Sequence, residues 1–262
     1  MTWIIGTPTM FGYAAAVSDI QVTWQDGSTS DCLLKVHTVA PNLVAGFSGS
    51  GQAGFWMLRD LTKFLSRGTS QNIWFPVRSV AIAWHRRARY IFSRMSPRHG
   101  RLSIMLLGVS PIEDLGIPGW ARSDVIVLDS ANGFEPAYAP RGKAVSIGSG
   151  SAIAEYVEAL EKTVADPGYF EIGAMMQQGG AGWHLAFSMS HTMRENPQRG
   201  ISSKVVYTIV RRGEIKSHPH EFTEIAPDGT KSEFRLPWIA KSWSEFIQFA
   251  RQNGRACEGA IG

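Results

Sequence analysis

Short apolar runs broken by turn-forming residues dominate the first fifty residues of the chain. Gly12, Asp26-Gly27 and Pro41-Asn42 separate these runs, and all are residue types common in tight turns. Short runs joined by tight turns predict antiparallel strands. We expect four or five of them, at two places within 3–17 (the second at 13–17), around Val22 and Trp24, and at 32–39 and 43–47.

Beyond residue 50 the apolar positions recur every three or four residues, which is the spacing of one helix face. The first predicted helix covers 52–65, and the second runs from Pro76 to about 95. Strands follow at 102–108, 124–128 and 143–147, then helices at 152–164 and within 169–193, the latter interrupted or weakened by the glycines of 179–182. A strand at 204–210, a hairpin of 220–225 with 232–236 and an aromatic helix at about 243–251 end the pattern.

This order of strands, two helices, strands, two helices and strands predicts an α+β fold. Two stacked, mainly antiparallel sheets with a helix pair outside each would bury both faces of both sheets, so we expect a four-layer αββα sandwich. No repeat or linker divides the 262 residues. We therefore expect one domain over 1–262, with a C-terminal extension from about 214.

Composition narrows the class of protein. With 44% hydrophobic and 18% charged residues, the chain fits neither a disordered protein nor a coiled coil. No apolar run approaches the roughly 18 residues of a membrane span, and the start lacks the features of a signal peptide. Cys32 and Cys257 are too few for a disulfide framework and lack metal-ligand spacing. We expect a cytoplasmic protein with reduced thiols, no cofactor and no metal.

Positive charge is concentrated in one stretch. The net charge is only +4, but no acidic residue lies between Asp60 and Glu113. Seven arginines in that gap form what we call the arginine block: Arg78, Arg86, Arg87, Arg89, Arg94, Arg98 and Arg101. Two interpretations stay open, a solvated helix face or subunit contact, and a surface that binds phosphate or nucleic acid.

Four residues of the first fifty have the chemistry of an N-terminal-nucleophile hydrolase. Thr2 carries a hydroxyl that becomes N-terminal when the start methionine is removed, Asp19 ends an apolar run, and Lys35 lies in the next one. Gly49 belongs to a turn before the first predicted helix, where main-chain N–H groups point into the turn. Each residue alone has an ordinary structural explanation, and it is their joint spacing that favours catalysis.

At these residues the chain resembles proteasome β-subunits and their bacterial HslV-type relatives. The match runs without a gap from 12 to 50 and comprises Gly12, Asp19, Thr23, Lys35, Pro41 and the phrase at 45–50. One extra residue precedes Gly12, and a second family motif matches Gly148-Ser149-Gly150 at the start of a helix. Asn196 stands where the family usually has an acid, and Ser202 is shifted from the position of a family serine.

The resemblance implies a threonine-type endopeptidase. The freed α-amine of Thr2 would be the general base for its own hydroxyl, which attacks a peptide carbonyl. Lys35 would favour the neutral amine and stabilise negative charge, and Asp19 would hold Lys35 in place. The Gly49 N–H would stabilise the oxyanion, and Ser149 would hydrogen-bond near the amine.

The same resemblance implies where substrate and partners bind. The segment around Thr23 and the segment 49–51, whose last residue is Gly51, would pair with a substrate strand. By register, Val22, Leu33, His37, Phe47 and Phe55 are candidate pocket residues, and Phe47 would make the pocket shallow. The implied partners are peptide or unfolded-protein substrates, further copies of the chain in a ring or related homo-oligomer, and an ATPase whose identity the sequence leaves open, with no membrane.

Two alternatives from other functional classes stay open. A catalytically inactive homologue would act through assembly or binding and would retain Met1. Nucleic-acid binding through Arg78–Arg101 would depend steeply on salt. Within the enzyme class, Gly6-Thr7 is a second processing junction of the family type, but Thr7 lies too close to Gly12 to begin the expected strand.

Overall fold

The computed structural model describes residues 2–9, 12–67, 75–95, 99–111, 121–140, 142–169, 171, 179–225, 228 and 230–255. The strands are β1 (Ile4–Pro8), β2 (Ala14–Asp19), β3 (Gln21–Thr23), β4 (Thr29–Asp31), β5 (Val36–Ala40), β6 (Leu43–Ser48), β7 (Ser103–Pro111), β8 (Ala121–Asp129), β9 (Pro136–Tyr138), β10 (Val145–Ile147), β11 (Val205–Arg211), β12 (Glu214–Pro219), β13 (Phe222–Ile225) and β14 (Lys231–Phe234). The main helices are α1 (Gly51–Ser66), α2 (Val77–Ser93), α3 (Ala154–Ala165), α4 (Gly180–Glu195) and α5 (Trp243–Gln252). The prediction of a mixed α+β protein is confirmed.

Two five-stranded sheets contain most of these strands. The first sheet has the order β10-β1-β2-β11-β12 and the second the order β5-β6-β7-β8-β9, while β3-β4 and β13-β14 form two-stranded ribbons. Every pairing between these strands is antiparallel. The predicted antiparallel character of the sheets is therefore confirmed.

Side chains of β1 and β2 face two different hydrophobic clusters because successive residues of a strand point to opposite faces. Ile5 and Val17 pack with side chains of α3 and α4. Ile4 and Ala16 pack instead with side chains of β6, β7 and β8 from the second sheet. Both faces of the first sheet are thus covered around its two central strands.

The second sheet has its own cluster on its other face. Phe47 of β6 packs there with Leu61 of α1 and Trp84 of α2, all of them fully buried. Helix α1 begins where Ser50 accepts a hydrogen bond on its Oγ from the Ala53 N–H, as an N-cap does. The predicted helices at 52–65 and 76–95 match α1 and α2 to within two residues at each end.

The glycines of 179–182 lie at the start of α4, which is the described part of the helix predicted within 169–193. Gly179 is the N-cap with a φ of 111°, a left-handed conformation that suits glycine. A Cβ on Gly179 would lie 2.6 Å from Ile209 of β11. The glycines therefore let the start of α4 approach the first sheet closely, and residues 172–178 lie outside the described part of the chain.

Residues after 214 join both the first sheet and the cluster around α1. Strand β12 pairs with β11 at the sheet edge. Farther on, the Ala240 N–H donates to the Cys32 carbonyl at 2.8 Å, and the Ala240 carbonyl accepts from Leu34 at 3.0 Å. Phe246 of α5 is fully buried and stacks on Trp24 at 5.4 Å. Among the described residues no helix has the length and apolar character needed to cross a membrane.

Candidate active site

Thr2, Asp19 and Lys35 meet at one place between the two sheets. Thr2 precedes β1, Asp19 is the last residue of the neighbouring β2, and Lys35 immediately precedes β5 of the second sheet. Lys35 Nζ donates to Thr2 Oγ1 at 2.8 Å and to Asp19 Oδ2 at 2.9 Å. The predicted hydroxyl, ammonium and carboxylate therefore form one continuous chain of hydrogen bonds.

Burial makes this chain of polar groups electrostatically strong. The side chains of Lys35 and Asp19 are fully buried, and Thr2 is 1% exposed. Burial lowers the pKa of the Lys35 ammonium below its ordinary value, and the charge of Asp19 opposes that shift without cancelling it. Asp19 also accepts main-chain N–H groups from Trp3 on Oδ1 at 2.9 Å and from Gln21 on Oδ2 at 3.1 Å. Three donors thus fix the carboxylate that orients Lys35.

Ser149 contacts the main chain of Thr2 from a distant part of the sequence. Pairing of β10 with β1, with Ile147 opposite Ile4, carries the following turn beside Thr2. The Thr2 N–H donates to Ser149 Oγ at 2.9 Å, and the Ser149 hydroxyl faces the Thr2 carbonyl at 3.3 Å. The Gly150 N–H donates to the same carbonyl at 3.1 Å. The predicted contact between Ser149 and the Thr2 nitrogen is present.

Gly49 forms the turn between β6 and α1. Its φ is 117°, so a residue with a side chain would be strained there. Ser50, which follows, is within 2.9 Å of His99 Nδ1 through its Oγ, so the turn is tied to the segment before β7. Gly49 and Thr2 lie on the wall of the same cavity.

That cavity has a volume of about 660 Å³. Thr2, Thr23, Gly49 and Ser149 line it, together with charged residues that the sequence did not single out for this purpose. The further wall residues are Ser48, Arg101, Ser103, Val127, Asp129, Ser146, Ile147, Gly148, Ser151, Ala152 and Arg199. Three predicted catalytic residues, Thr2, Gly49 and Ser149, and the predicted substrate-binding residue Thr23 therefore share one cavity with room for a peptide side chain.

The other predicted substrate-binding residues do not reach that cavity. Val22 and Phe47 are fully buried in the cluster around α1, and Gly51 is the buried first residue of that helix. Val22 points away from its neighbour Thr23 because strand side chains alternate, and residues from the C-terminal segment, including Phe246, cover its side. Val22 and Phe47 therefore have no surface on that cavity, and their role in a substrate pocket stays a prediction.

Neither Asn196 nor Ser202 contributes to the site. The Asn196 carbonyl accepts from the Tyr156 hydroxyl at 2.9 Å, and Ser202 Oγ accepts from the Lys204 N–H at 3.1 Å. Within the described part of the chain, Ser149 is the only side chain with a recorded hydrogen bond to the Thr2 nitrogen.

Cys32 is the nearest competing nucleophile in sequence, and its environment makes it inert. The thiol is fully buried, and burial raises its pKa to about 12 despite the nearby charge of Lys35. It therefore stays protonated at neutral pH and is a poor nucleophile. Cys257 lies outside the described residues.

Arg101, Asp129 and Arg199 are wall residues that the sequence reasoning missed in this role. Asp129 lies opposite Ser103 in the pairing of β7 with β8, and that cross-strand register cannot be read from a single sequence.

Over the described ranges, no group of three or more His, Cys, Asp and Glu side chains is placed to hold a metal ion. The chain matches no protein-family model and no curated protein.

Proposed function

We propose that this protein is a threonine-type endopeptidase of the N-terminal-nucleophile class, similar to proteasome β-subunits. One observation carries the proposal. Lys35 Nζ bonds at once to the Thr2 hydroxyl and to Asp19, while Ser149 bonds to the Thr2 nitrogen, and all of these atoms are at or beside one cavity. A buried lysine directed at a hydroxyl is costly for stability, which favours a chemical use for it.

The fold that we propose is the four-layer αββα sandwich of that class. Its support is the order of the three hydrophobic clusters, one between α3, α4 and the first sheet, one between the two sheets, and one between the second sheet and α1 with α2. In such a sandwich the start of β1, the end of β2 and the start of β5 lie at one edge, where Thr2, Asp19 and Lys35 are found.

The first chemical step follows from these contacts. Loss of the start methionine would turn the Thr2 nitrogen into an amine with an ordinary pKa of about 8, which Ser149 holds at 2.9 Å. The amine, directly or through water, takes the proton from the Thr2 hydroxyl as the oxygen attacks a peptide carbonyl. Lys35 donates to that oxygen and stabilises the negative charge that develops on it.

The remaining steps return the enzyme to its starting state. The tetrahedral oxyanion lies toward the Gly49 N–H, and the protonated amine gives its proton to the leaving nitrogen, so that the peptide bond breaks and a Thr2 ester remains. Water, deprotonated by the same amine, attacks that ester. As the tetrahedral intermediate collapses, the protonated amine returns the proton to Thr2 Oγ1, the ester bond breaks and the acid is released. Asp19 touches no reacting atom and is a positioning residue for Lys35.

Peptide hydrolysis by matched variants tests this proposal. Thr2→Ala removes the nucleophile and is expected to lower turnover of an internally quenched peptide mixture on the order of 10³-fold or more, whereas Thr2→Ser keeps a hydroxyl and retains a measurable rate. Thr223→Ala, an exposed threonine in β13, is the matched control and keeps full activity. Full activity in Thr2→Ala would reject the proposal.

Intact-mass analysis separates this enzyme from a catalytically inactive assembly protein. The enzyme requires a chain that begins at Thr2 and reacts there with an electrophilic threonine-directed probe. A mature chain that retains Met1 and takes no label at Thr2 would favour the inactive homologue. Met1 itself lies outside the described residues.

We also infer self-association into a ring or related homo-oligomer that acts on peptides or unfolded protein, with an ATPase partner left open. Helix α4 supports association, because Trp183 and Phe187 stack on its surface at 5.8 Å while 39% and 45% exposed. Exposed apolar groups of this size commonly mark protein contacts. Light scattering of the Trp183→Ser variant beside wild type tests it: a mass equal to one chain in both would contradict the inference.

A further inference from the structure

Two arginines lie on the wall of the cavity that contains Thr2. Arg101 precedes β7, and Arg199 lies in the connection between α4 and β11. The two side chains differ in whether an acidic partner compensates their charge. That difference decides which ligands the cavity favours.

The charge of Arg101 is already compensated. Its guanidinium donates from Nε at 3.1 Å and from a terminal nitrogen at 2.9 Å to the two oxygens of Asp129, a two-point contact. Asp129 also accepts from the Ser103 hydroxyl at 2.6 Å and from the Ala131 N–H at 2.7 Å. Burial by itself would raise the pKa of the Asp129 carboxyl, but hydrogen bonds from Arg101, Ser103 and the Ala131 N–H outweigh it and hold that pKa below its ordinary value. The pair therefore adds no net charge to the wall.

The charge of Arg199 has no such partner. One terminal nitrogen donates to the Gly27 carbonyl at 2.6 Å, and among the described residues no carboxylate forms an ion pair with Arg199. A guanidinium has five N–H groups, so most of them are left for a ligand after the contact with Gly27. That contact also fixes the side chain to the β3–β4 turn, next to the wall residue Thr23.

The rest of the polar wall is neutral. Hydroxyls of Thr23, Ser48, Ser146 and Ser151 line it, and hydroxyls both donate to and accept from a bound anion. Among the described residues of the wall, the charged groups are Arg101, Asp129 and Arg199, which sum to one positive charge. A cavity with hydroxyl donors and one uncompensated guanidinium is complementary to a carboxylate.

We propose that this cavity selects peptides with a carboxylate close to the bond that Thr2 attacks, and that Arg199 is the residue that recognises it. The proposal rests on the proposed peptidase function. The carboxylate comes from one of two sources, an acidic side chain or the free C-terminus of a short peptide. In both cases an N–H edge of Arg199 binds the carboxylate oxygens while Thr2 attacks the nearby carbonyl.

Hydrolysis of paired peptides tests the recognition. Each internally quenched peptide has Glu at one position within three residues of the bond cut and is matched by a twin with Gln there. Because Arg199 is exposed, we expect roughly a tenfold preference in kcat/KM for the best Glu peptide, at the low end for a charge-assisted hydrogen bond. The preference should fall as salt rises from about 50 mM to 500 mM. Equal rates for all Glu and Gln twins would reject an acidic side chain as the source.

A second pair of peptides distinguishes the other source. Short peptides without acidic side chains are compared with a free C-terminal carboxylate and with a C-terminal amide. A similar preference for the free acid, in the absence of a Glu preference, assigns the cavity to a peptide C-terminus. No preference in either pair overturns the proposal.

Variants of Arg199 separate recognition from a merely structural role. Arg199→Gln should abolish the preference by lowering the rate for the Glu peptide alone, and Arg199→Lys should keep part of it. Loss of the Gly27 contact alone would slow the Glu and Gln twins equally, and that result would overturn the assignment of Arg199. Arg86→Gln, which removes an exposed arginine of α2 away from the cavity, is the matched control and keeps the preference.

Binding to the Thr2→Ala chain makes failure of this proposal distinguishable from failure of the peptidase function. In calorimetry the Thr2→Ala chain should bind the Glu peptide about tenfold more tightly than its Gln twin. The double variant Thr2→Ala with Arg199→Gln should lose this difference. If no peptide is cleaved but this difference is present, the peptidase function fails and the recognition stands. If peptides are cleaved and bound without regard to charge, the recognition fails and the peptidase function stands.

Discussion

The ion pair in the interior of this protein and the ion pairs on its surface differ in their exposure to solvent. The Lys35–Asp19 pair is 2.9 Å long, with both side chains fully buried. The arginine block of residues 78–101 forms its ion pairs with at least one partner exposed to solvent, namely Arg78–Asp124, Arg87–Asp60, Arg89–Glu135 and Arg101–Asp129. This buried pair lies next to the Thr2 hydroxyl, and the four surface pairs join α2 and the start of β7 to their neighbours.

Acidic residues that are absent from this stretch of the sequence approach the arginine block from other segments of the fold. No acid lies between Asp60 and Glu113, yet Asp124, Asp129 and Glu135 approach the block from β8 and the turn after it. Arg94 stacks on the Tyr90 ring at 5.0 Å, and Arg98 lies outside the described residues. The compensation within the block favours its structural interpretation over a continuous surface for nucleic acid.

Removing the acid of the buried pair should have the largest effect on stability. Asp19→Ala leaves the Lys35 ammonium buried without its partner and frees the main-chain N–H groups of Trp3 and Gln21. We expect the free energy of unfolding to fall by about 3–5 kcal/mol, together with loss of peptidase activity. Urea unfolding followed by circular dichroism measures the first, and the quenched-peptide assay the second.

The double variant Lys35→Met with Asp19→Asn is the control for that prediction. It removes both charges at nearly constant volume, so most of the stability lost in Asp19→Ala should return while activity stays absent. Equal destabilisation in the single and double variants would mean that packing, and not the unpaired charge, causes the loss.

The next largest effect on the free energy of unfolding should come from protonation of His37 as the pH falls. The imidazole is partly buried between Phe47 and Phe55, and its loss of solvent lowers its pKa to about 4, against hydrogen bonds to the Leu34 and Lys241 main chain that raise it. Since the unfolded value is about 6.5, the unfolded chain binds more protons between these two values, and stability falls as the pH falls through that window. We expect a loss on the order of 2 kcal/mol from pH 7 to pH 5, measured by urea unfolding at each pH.

Variants assign that pH dependence to one residue. His37→Phe removes this titrating group and should reduce the fall in stability between pH 7 and pH 5. An unchanged slope in His37→Phe would assign the effect to another group.

The parts of the fold and site that the sequence predicted are those with local signals. Apolar periodicity located α1 and α2, and turn residues located most early strands. Thr2, Asp19 and Lys35, predicted from their joint spacing, lie together with Ser149, which the family resemblance implied. Pairing of β1 with β2 and β10 brings Thr2, Asp19 and Ser149 together, and Lys35 approaches them from the second sheet.

What the sequence did not predict depends on contacts between distant segments. Strand β12 is a polar edge strand without apolar alternation, so only its pairing with β11 defines it. Val22 and Phe47 belong to one buried cluster with Phe246 of α5, more than 190 residues away in the chain. Arg199 reaches the cavity wall through a contact with Gly27, which no local pattern encodes.

The surface pairs should give the smallest effect. Arg89 and Glu135 are joined at 2.7 Å while their side chains are 53% and 59% exposed, so solvent and salt screen the attraction. A double-mutant cycle with Arg89→Gln and Glu135→Gln should give a coupling of at most about 1 kcal/mol, measured by urea unfolding.

Single-stranded RNA and duplex DNA should show no steeply salt-dependent binding to the wild-type chain in fluorescence anisotropy. A log–log salt slope of about −4 or steeper, reduced in Arg86→Gln, would instead mean that the block neutralises several phosphates at once and that the surface arginines serve nucleic acid rather than the fold.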